Sequence, residues 1–325
     1  MRAIVAEDVS NPQDLKLVEL PEPVPGPGQV RIDVKATALN FADSLIISHK
    51  YQLKPDFPFS PGFEVAGVVS GIGDGVTDFE VGARVIATMD YGAYREQVIV
   101  EDYLAHPIPE GLDYVTAAAF PVAYGTSYVG LLRRSHLNPG ETVLVHGAAG
   151  GVGLTAVEIA KASGANVIAT ASSDEKCEIT KSHGADVAIN LSKNPEFRDQ
   201  VKNFTNGNGA DVIYDPVGGD VFDQSLRCIN WGGRLLIIGF AAGRIPKIPS
   251  NILLVKSCSA IGVFWSSHRR REPMTLREDY HQLFSWHSEG KLKPLIGATF
   301  PLERAGDALD ALLSRKVAGK IVLEV

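Results

Sequence analysis

Cysteine is scarce in this chain of 325 residues: only Cys177, Cys228 and Cys258 occur. An odd number without metal-ligand spacing excludes a disulfide framework and fits free thiols in a reducing compartment. Long apolar runs are lacking too. The longest stretches, "AAAFPVAYG" and "LLIIGFAAG", are too short to span a bilayer. The opening "MRAIVAEDVS" carries Arg2, Glu7 and Asp8 and has no apolar core, so it is not read as a signal peptide. The expectation is a cytoplasmic protein. Excess positive charge is also missing: 31 Lys and Arg against 38 Asp and Glu leave a net charge of −7. With no block of like charge, neither nucleic acid nor a membrane is expected as a partner. The one cationic cluster, Arg269, Arg270 and Arg271, reads as a solvated loop, the alternative being an anion contact at a cleft rim.

What is present is a large apolar content, 45% of the residues, which at this length predicts two domains. Residues 1–122 show period two. In "QVRIDVKATAL", Val30, Ile32, Val34 and Ala36 alternate with Arg31, Asp33 and Lys35, as in a half-buried strand. Residues 123–266 instead alternate apolar strands ("TVLVHG", "NVIATA", "VAIN", "DVIYDPVGG", "RLLIIGF", "SAIGVFW") with helical segments. One of these helices, in "NPEFRDQVKNF", is expected to begin near Pro195. Strands this apolar are covered on both faces, so the α/β fold class follows, with a doubly wound parallel sheet. Residues 267–325 hold one polar helix and the closing strand "GKIVLEV", and are expected to complete the first, β-rich domain.

The segment "VLVHGAAGGVGLTAVEIAKASGANVIATASSDEK" passes from strand through a glycine turn into a helix and a second strand, the context in which a glycine motif carries weight. Read as Ala148, Gly150 and Gly153, it is a dinucleotide fingerprint with its first glycine replaced. Gly150 removes a Cβ that would block a pyrophosphate, Gly153 lets helix and strand approach, and the free N–H groups at the helix start face the ligand. Ala149, Gly150, Gly151, Val152 and Gly153 are therefore assigned to the cofactor. The second strand ends on Ala171, where an NAD site places an acid. Ser172, Ser173 and Lys176 offer two hydroxyls and a cation to a 2′-phosphate, so NADPH is expected over NADH. The alternative is that the serines only cap the next helix.

"PGFEVAGVV", "VGARVIA", "AAAFPVAYGTSY", "AAGGVG", "YDPVGGDVF" and "GKIVLEV" together resemble the medium-chain dehydrogenases/reductases over essentially the whole chain. Within them the chain is similar to the zinc-independent NADPH:quinone oxidoreductases, nearest the quinone oxidoreductase-like protein two branch by "SDEKC", "VGGDVF" and "NILLVKSCSAIGVFW". The resemblance implies a GroES-like catalytic domain beside a Rossmann domain, and a homodimer joined through "SAIGVFW". Zinc-dependent relatives hold their metal with a cysteine and a histidine; the matching positions are Asn40 and Phe63 here. No metal is expected, because phenylalanine has no donor atom and an amide is a poor zinc ligand. His49, His106 and His146 are scattered and read as packed or exposed.

The resemblance further implies that Asn40, Asp43 and Tyr51 line the acceptor site, with Asn40 donating to the acceptor oxygen and Tyr51 lining the pocket or supplying a proton. Their alternatives are a turn residue, a helix-start charge and ordinary core. Ser48 and His49 depart from the arginine and glycine often found before the tyrosine. Thr126, Gly239, Phe240, Ala241 and Phe264 match contacts on the nicotinamide side, while Leu191 replaces a tyrosine found near the adenosine in some relatives. Without a Lewis acid, hydride transfer is expected to need an electron-poor acceptor, and a small-molecule quinone is the first choice. A 2-enoyl reductase acting on an enal, enone or enoyl thioester is the alternative, as is a catalytically idle NADPH-binding protein.

Overall fold

The computed structural model describes all 325 residues. The chain divides into two units, one of Met1–Val122, His268–Tyr280 and Pro294–Val325, the other of Ala123–Ser267 and His281–Lys293.

In the first unit, strand Gln29–Ala38 turns Val30, Ile32, Val34 and Ala36 into the core, the face that their alternation predicts. It pairs antiparallel with Glu64–Ile72, Gln97–Glu101 and the C-terminal Lys320–Glu324. The seven-stranded sheet extends through Arg84–Thr88 to Ala105–Pro107 on one side and to Ile296–Pro301 on the other. The C-terminal strand therefore lies beside residues about 280 positions away in sequence, with Val322 opposite Ala38. Helix Phe41–Ile47 leaves directly from the end of the central strand.

The second unit is built on six strands in the order Val187–Asn190, Asn166–Ala171, Thr142–Val145, Ala210–Asp215, Ile229–Ile237 and Ser259–Gly262. Every pairing is parallel, and numbering the strands by sequence gives the 3-2-1-4-5-6 order of a Rossmann sheet. Thr142–Val145 is buried along its whole length, because parallel strands carry helices on both faces. Those helices include Gly151–Ala162, Asp174–Ser182, Arg198–Phe204 and Gly219–Cys228.

Three expectations change. The helix expected near Pro195 begins at Arg198, because Phe197 is fully buried among Leu144, Ile168 and Ile213 and the Pro195 carbonyl instead accepts from Gln224 Nε2 at 2.9 Å. The segment His281–Lys293 belongs to the second unit. There Trp286 packs on Tyr128 and the Lys293 N–H donates to Glu158, a carboxylate that also accepts from Tyr124 and His183. Finally, Arg269–Arg271 is the end of helix Trp265–Arg271, not a solvated loop. The Arg269 side chain is 2% exposed and ion-paired with Asp90, which Arg270 also reaches.

Candidate functional site

In the second unit the glycine turn joins the end of strand Thr142–Val145 to helix Gly151–Ala162. The Ala148 N–H donates to the Thr170 carbonyl at 3.0 Å. His146 shares hydrogen bonds with Thr170 Oγ1 and Ser225 Oγ at 2.9 and 2.8 Å. Burial pushes that imidazole down to about 3, so it stays neutral and ties three elements beneath the turn. A Cβ on residue 153 would lie 2.2 Å from the Gly147 carbonyl oxygen, so only glycine lets the helix start this close. A Cβ on residue 150 would meet only that oxygen, at 3.3 Å; its outward side is open. The first intrahelical bond is Leu154 N–H to the Gly150 carbonyl, 2.8 Å, which leaves the N–H groups of Gly151, Val152 and Gly153 without helical acceptors. Such a turn fits a pyrophosphate.

Strand Asn166–Ala171 ends on a buried alanine, as read from the sequence. Beyond it, Ser173 Oγ accepts the Lys176 N–H at 3.2 Å and caps helix Asp174–Ser182, so the capping role is real. Asp174 accepts from Asn190 Nδ2 and Lys193 Nζ, and Lys193 with Asn190 holds its carboxyl below the usual range. Lys193 is thus a cation at this corner that sequence reading missed. Gly239, Phe240 and Ala241 follow strand Ile229–Ile237, and the Ala241 N–H donates to the Pro216 carbonyl at 3.1 Å. Phe264 is 38% exposed beyond strand Ser259–Gly262. Thr126 is buried on helix Pro121–Tyr128, which packs on Trp265 at Gly125. Topology thus brings the turn, Ser172, Ser173 and Lys176, the 239–241 loop and Phe264 to the carboxyl edge of one sheet. Asp215 lies at the same edge: its Oδ1 accepts the N–H groups of Val217 and Gly218 at 2.8 and 2.9 Å, and burial raises its pKa. Only an acid ending the apolar run "DVIYD" could have marked it.

In the first unit, the Asp43 carboxylate closes the start of helix Phe41–Ile47, and its own N–H donates to the Asn40 backbone carbonyl at 2.9 Å. Asp43 Oδ2 accepts the Asn40 N–H at 2.6 Å and the Tyr94 O–H at 2.9 Å. Burial pushes the Asp43 carboxyl up to about 7, against the opposing pull of those bonds and of Lys320. Burial and the Asp43 carboxylate also raise the Tyr94 phenol. The Asn40 side chain is fully engaged on one edge: Oδ1 accepts from Lys320 Nζ at 2.8 Å, and Nδ2 donates to Glu64 Oε1 at 2.7 Å. Its other Nδ2 hydrogen reaches only the Ala38 carbonyl, at 3.4 Å. Lys320 and Glu64 close an ion pair of 2.9 Å with side chains 7% and 0% exposed. Glu64 Oε2 accepts the Val122 N–H at 2.7 Å. Phe63 is buried, with the Tyr51 ring edge-on at 5.8 Å.

Glu64, Lys320 and Tyr94 escaped the sequence reading. The available signal was a single charge of each sign at the head of an apolar strand, in "EVAGVV" and "KIVLEV". A side chain there is buried with the strand and needs a partner.

A Rossmann sheet with a glycine-rich turn at the start of its first helix, on a chain whose other unit is a mostly antiparallel β-sheet, defines a two-domain, dinucleotide-dependent oxidoreductase. Residues 26–110 match the alcohol dehydrogenase GroES-like domain, and residues 151–286 match the family described as zinc-binding dehydrogenase. The quinone oxidoreductase-like protein 2 homolog of Nematostella vectensis is 43% identical over 301 residues, spanning 92% of this chain and 82% of that protein. The quinone oxidoreductase of Escherichia coli, solved with NADPH, superposes with a TM-score of 0.93 at 30% identity, covering 100% of both chains. That of Thermus thermophilus, also solved with NADPH, gives 0.87 at 36% identity, again over 100% of both. The chain belongs to the medium-chain dehydrogenase/reductase superfamily, in its quinone oxidoreductase-like family. The zinc in the family description does not fit the residues found here, since Phe63 offers no donor and the Asn40 oxygen already faces an ammonium.

Proposed function

We propose that the protein is an NADPH-dependent, zinc-independent reductase that delivers hydride to a quinone. The observation that carries the reading is the Asn40–Glu64–Lys320 cluster beside Phe63. It supplies hydrogen bonds and a buried ion pair in place of a metal donor set, which suits an acceptor already electron-poor, in which delocalisation stabilises the developing anion. NADPH supplies the hydride when bound. The amides from Ala149 to Gly153 would hold its pyrophosphate, and Ser172, Ser173 and Lys176 its 2′-phosphate. Thr126, Gly239, Phe240, Ala241 and Phe264 would flank the nicotinamide. In the first unit, the Asn40 Nδ2 hydrogen with only a 3.4 Å partner, beyond the usual hydrogen-bond range, is offered to the acceptor oxygen. Asp43 holds the Asn40 backbone, and Tyr51 with Phe63 forms an aromatic wall.

The test is an NADPH-oxidation screen across quinones, enones and enoyl thioesters, with zinc measured in the same preparation. Quinone turnover without stoichiometric zinc is the expected result. Turnover confined to enoyl thioesters, or lost on adding chelator, would refute the reading.

The homodimer belongs to the same proposal. Strand Ser259–Gly262 is an unpaired sheet edge, and the second unit also exposes Trp231, Leu254 and Val255 by 74–80%. Light scattering should return twice the chain mass. No helix is long and apolar enough to cross a membrane, and three buried, unpaired cysteines support placement in the reducing cytoplasm.

A further inference from the structure

We infer that Lys320 is a positioning residue for acceptor reduction: tied to Glu64, its ammonium fixes the Asn40 amide in the one orientation that presents nitrogen to the acceptor. The inference rests on the proposed role of Asn40. Lys320 is 6% exposed, and its Nζ donates to the Leu39 carbonyl, Asn40 Oδ1 and Glu64 Oε1 at 2.7, 2.8 and 2.9 Å. An ammonium has three donors. All three are used, so Lys320 acts through its neighbours and not on a ligand.

Glu64 completes the arrangement. Its Oε1 accepts Asn40 Nδ2 as well as Lys320 Nζ, while Oε2 accepts the Val122 N–H. An ion pair serving stability alone would need only the lysine and the glutamate. Here an amide is inserted with its oxygen on the cation and its nitrogen on the anion. Flipping that amide would set NH₂ against an ammonium and a carbonyl against a carboxylate, replacing two charge-assisted bonds with two repulsive contacts. The orientation that X-ray maps commonly leave open for an asparagine is therefore set by chemistry. A cation on the amide oxygen also polarises the group and strengthens its remaining N–H as a donor.

The test is a double-mutant cycle in kcat with 1,4-naphthoquinone, alongside melting temperature and NADPH binding by fluorescence. Lys320→Met should lower kcat on the order of tenfold to a hundredfold, at or below the loss of a whole oxyanion donor, with NADPH affinity unchanged. In an Asn40→Ala background the same change should cost almost nothing further, because the group being positioned is gone. Lys320→Met alone strands a buried carboxylate, so Glu64→Gln/Lys320→Met is run in both backgrounds as the charge-balanced form. It should recover melting temperature while kcat stays low. Equal proportional losses with and without Asn40, or kcat recovering together with melting temperature, would overturn the positioning role while leaving Asn40 in place. Wild-type kcat in Asn40→Ala would overturn the reading of Asn40 and this inference with it.

Discussion

The two candidate sites are made of different material. In the second unit the cofactor turn is mostly backbone and small residues contiguous in sequence, from Ala148 to Gly153, and its chemistry is a set of amides at a helix start. In the first unit the site is side chains from positions 40, 43, 64, 94 and 320, drawn from two strands, one loop and one helix start, and its chemistry is buried charge. The first kind of site is cheap to hold, because the amides are unsatisfied in any helix. The second is costly to desolvate and stable only when complete.

That contrast predicts opposite failures. Glu64→Ala should leave Lys320, the Asn40 Nδ2 and the Val122 N–H buried without their carboxylate, and removing one partner of a buried pair costs about 3–5 kcal/mol. Gly150→Ala should hardly change the melting temperature, since its Cβ meets only one oxygen at 3.3 Å and its φ of −84° suits any residue. It should instead weaken NADPH by about tenfold or more, roughly 1.4 kcal/mol. Thermal unfolding and NADPH titration of both variants check this. A fully stable Glu64→Ala, or a Gly150→Ala that binds NADPH normally, would erase the contrast.

The buried charge also makes one unit pH-sensitive. Asp43 titrates near 3.8 when exposed and at about 7 in the fold, so between those values the folded chain holds a proton that the unfolded chain has released. Its contribution to stability is complete below pH 3.8 and is lost as pH rises through about 7, with a slope of up to about 1.4 kcal/mol per pH unit. Asp43→Asn keeps an acceptor for the Asn40 N–H and the Tyr94 O–H, and it should flatten this slope in denaturant titrations across the range. A slope that survives the substitution assigns it to another group.

The smaller effects lie at the edge of the second unit. Lys176→Ala should weaken NADPH tenfold to a hundredfold, since a hydrogen bond to a charged group contributes about 1.5–3 kcal/mol, and leave NADH nearly unchanged. Ser173→Ala should cost about 1 kcal/mol of stability through the lost cap. Dissociation constants of both cofactors decide the matter. If Lys176→Ala weakens both equally, "SSDEK" is a helix start and selects nothing.

Legibility followed the same divide. The parallel sheet, the glycine turn and the strand ending on Ala171 were readable because each rests on local spacing: period two, period 3.6, and glycine where a Cβ would strike the Gly147 carbonyl. Pro195 misled because a fully buried Phe197 outweighed a helix-start preference. Arg269–Arg271 misled because three charges in a row look solvated until Asp90 is brought beside them.

By itself the sequence determined the fold class, the order of strands and helices and the dinucleotide turn, since all of these depend on neighbours a few residues apart, while the positions matching a metal site, Asn40 and Phe63, came from the family resemblance. Only the tertiary structure decided that Glu64 and Lys320 share one amide, that Tyr94 rests on Asp43, and that His281–Lys293 leaves the unit of its flanking segments. These depend on long-range strand pairing, such as that of Gln29–Ala38 with Lys320–Glu324. A buried charge does not name its partner in sequence; it is met by whichever opposite group that pairing carries into reach.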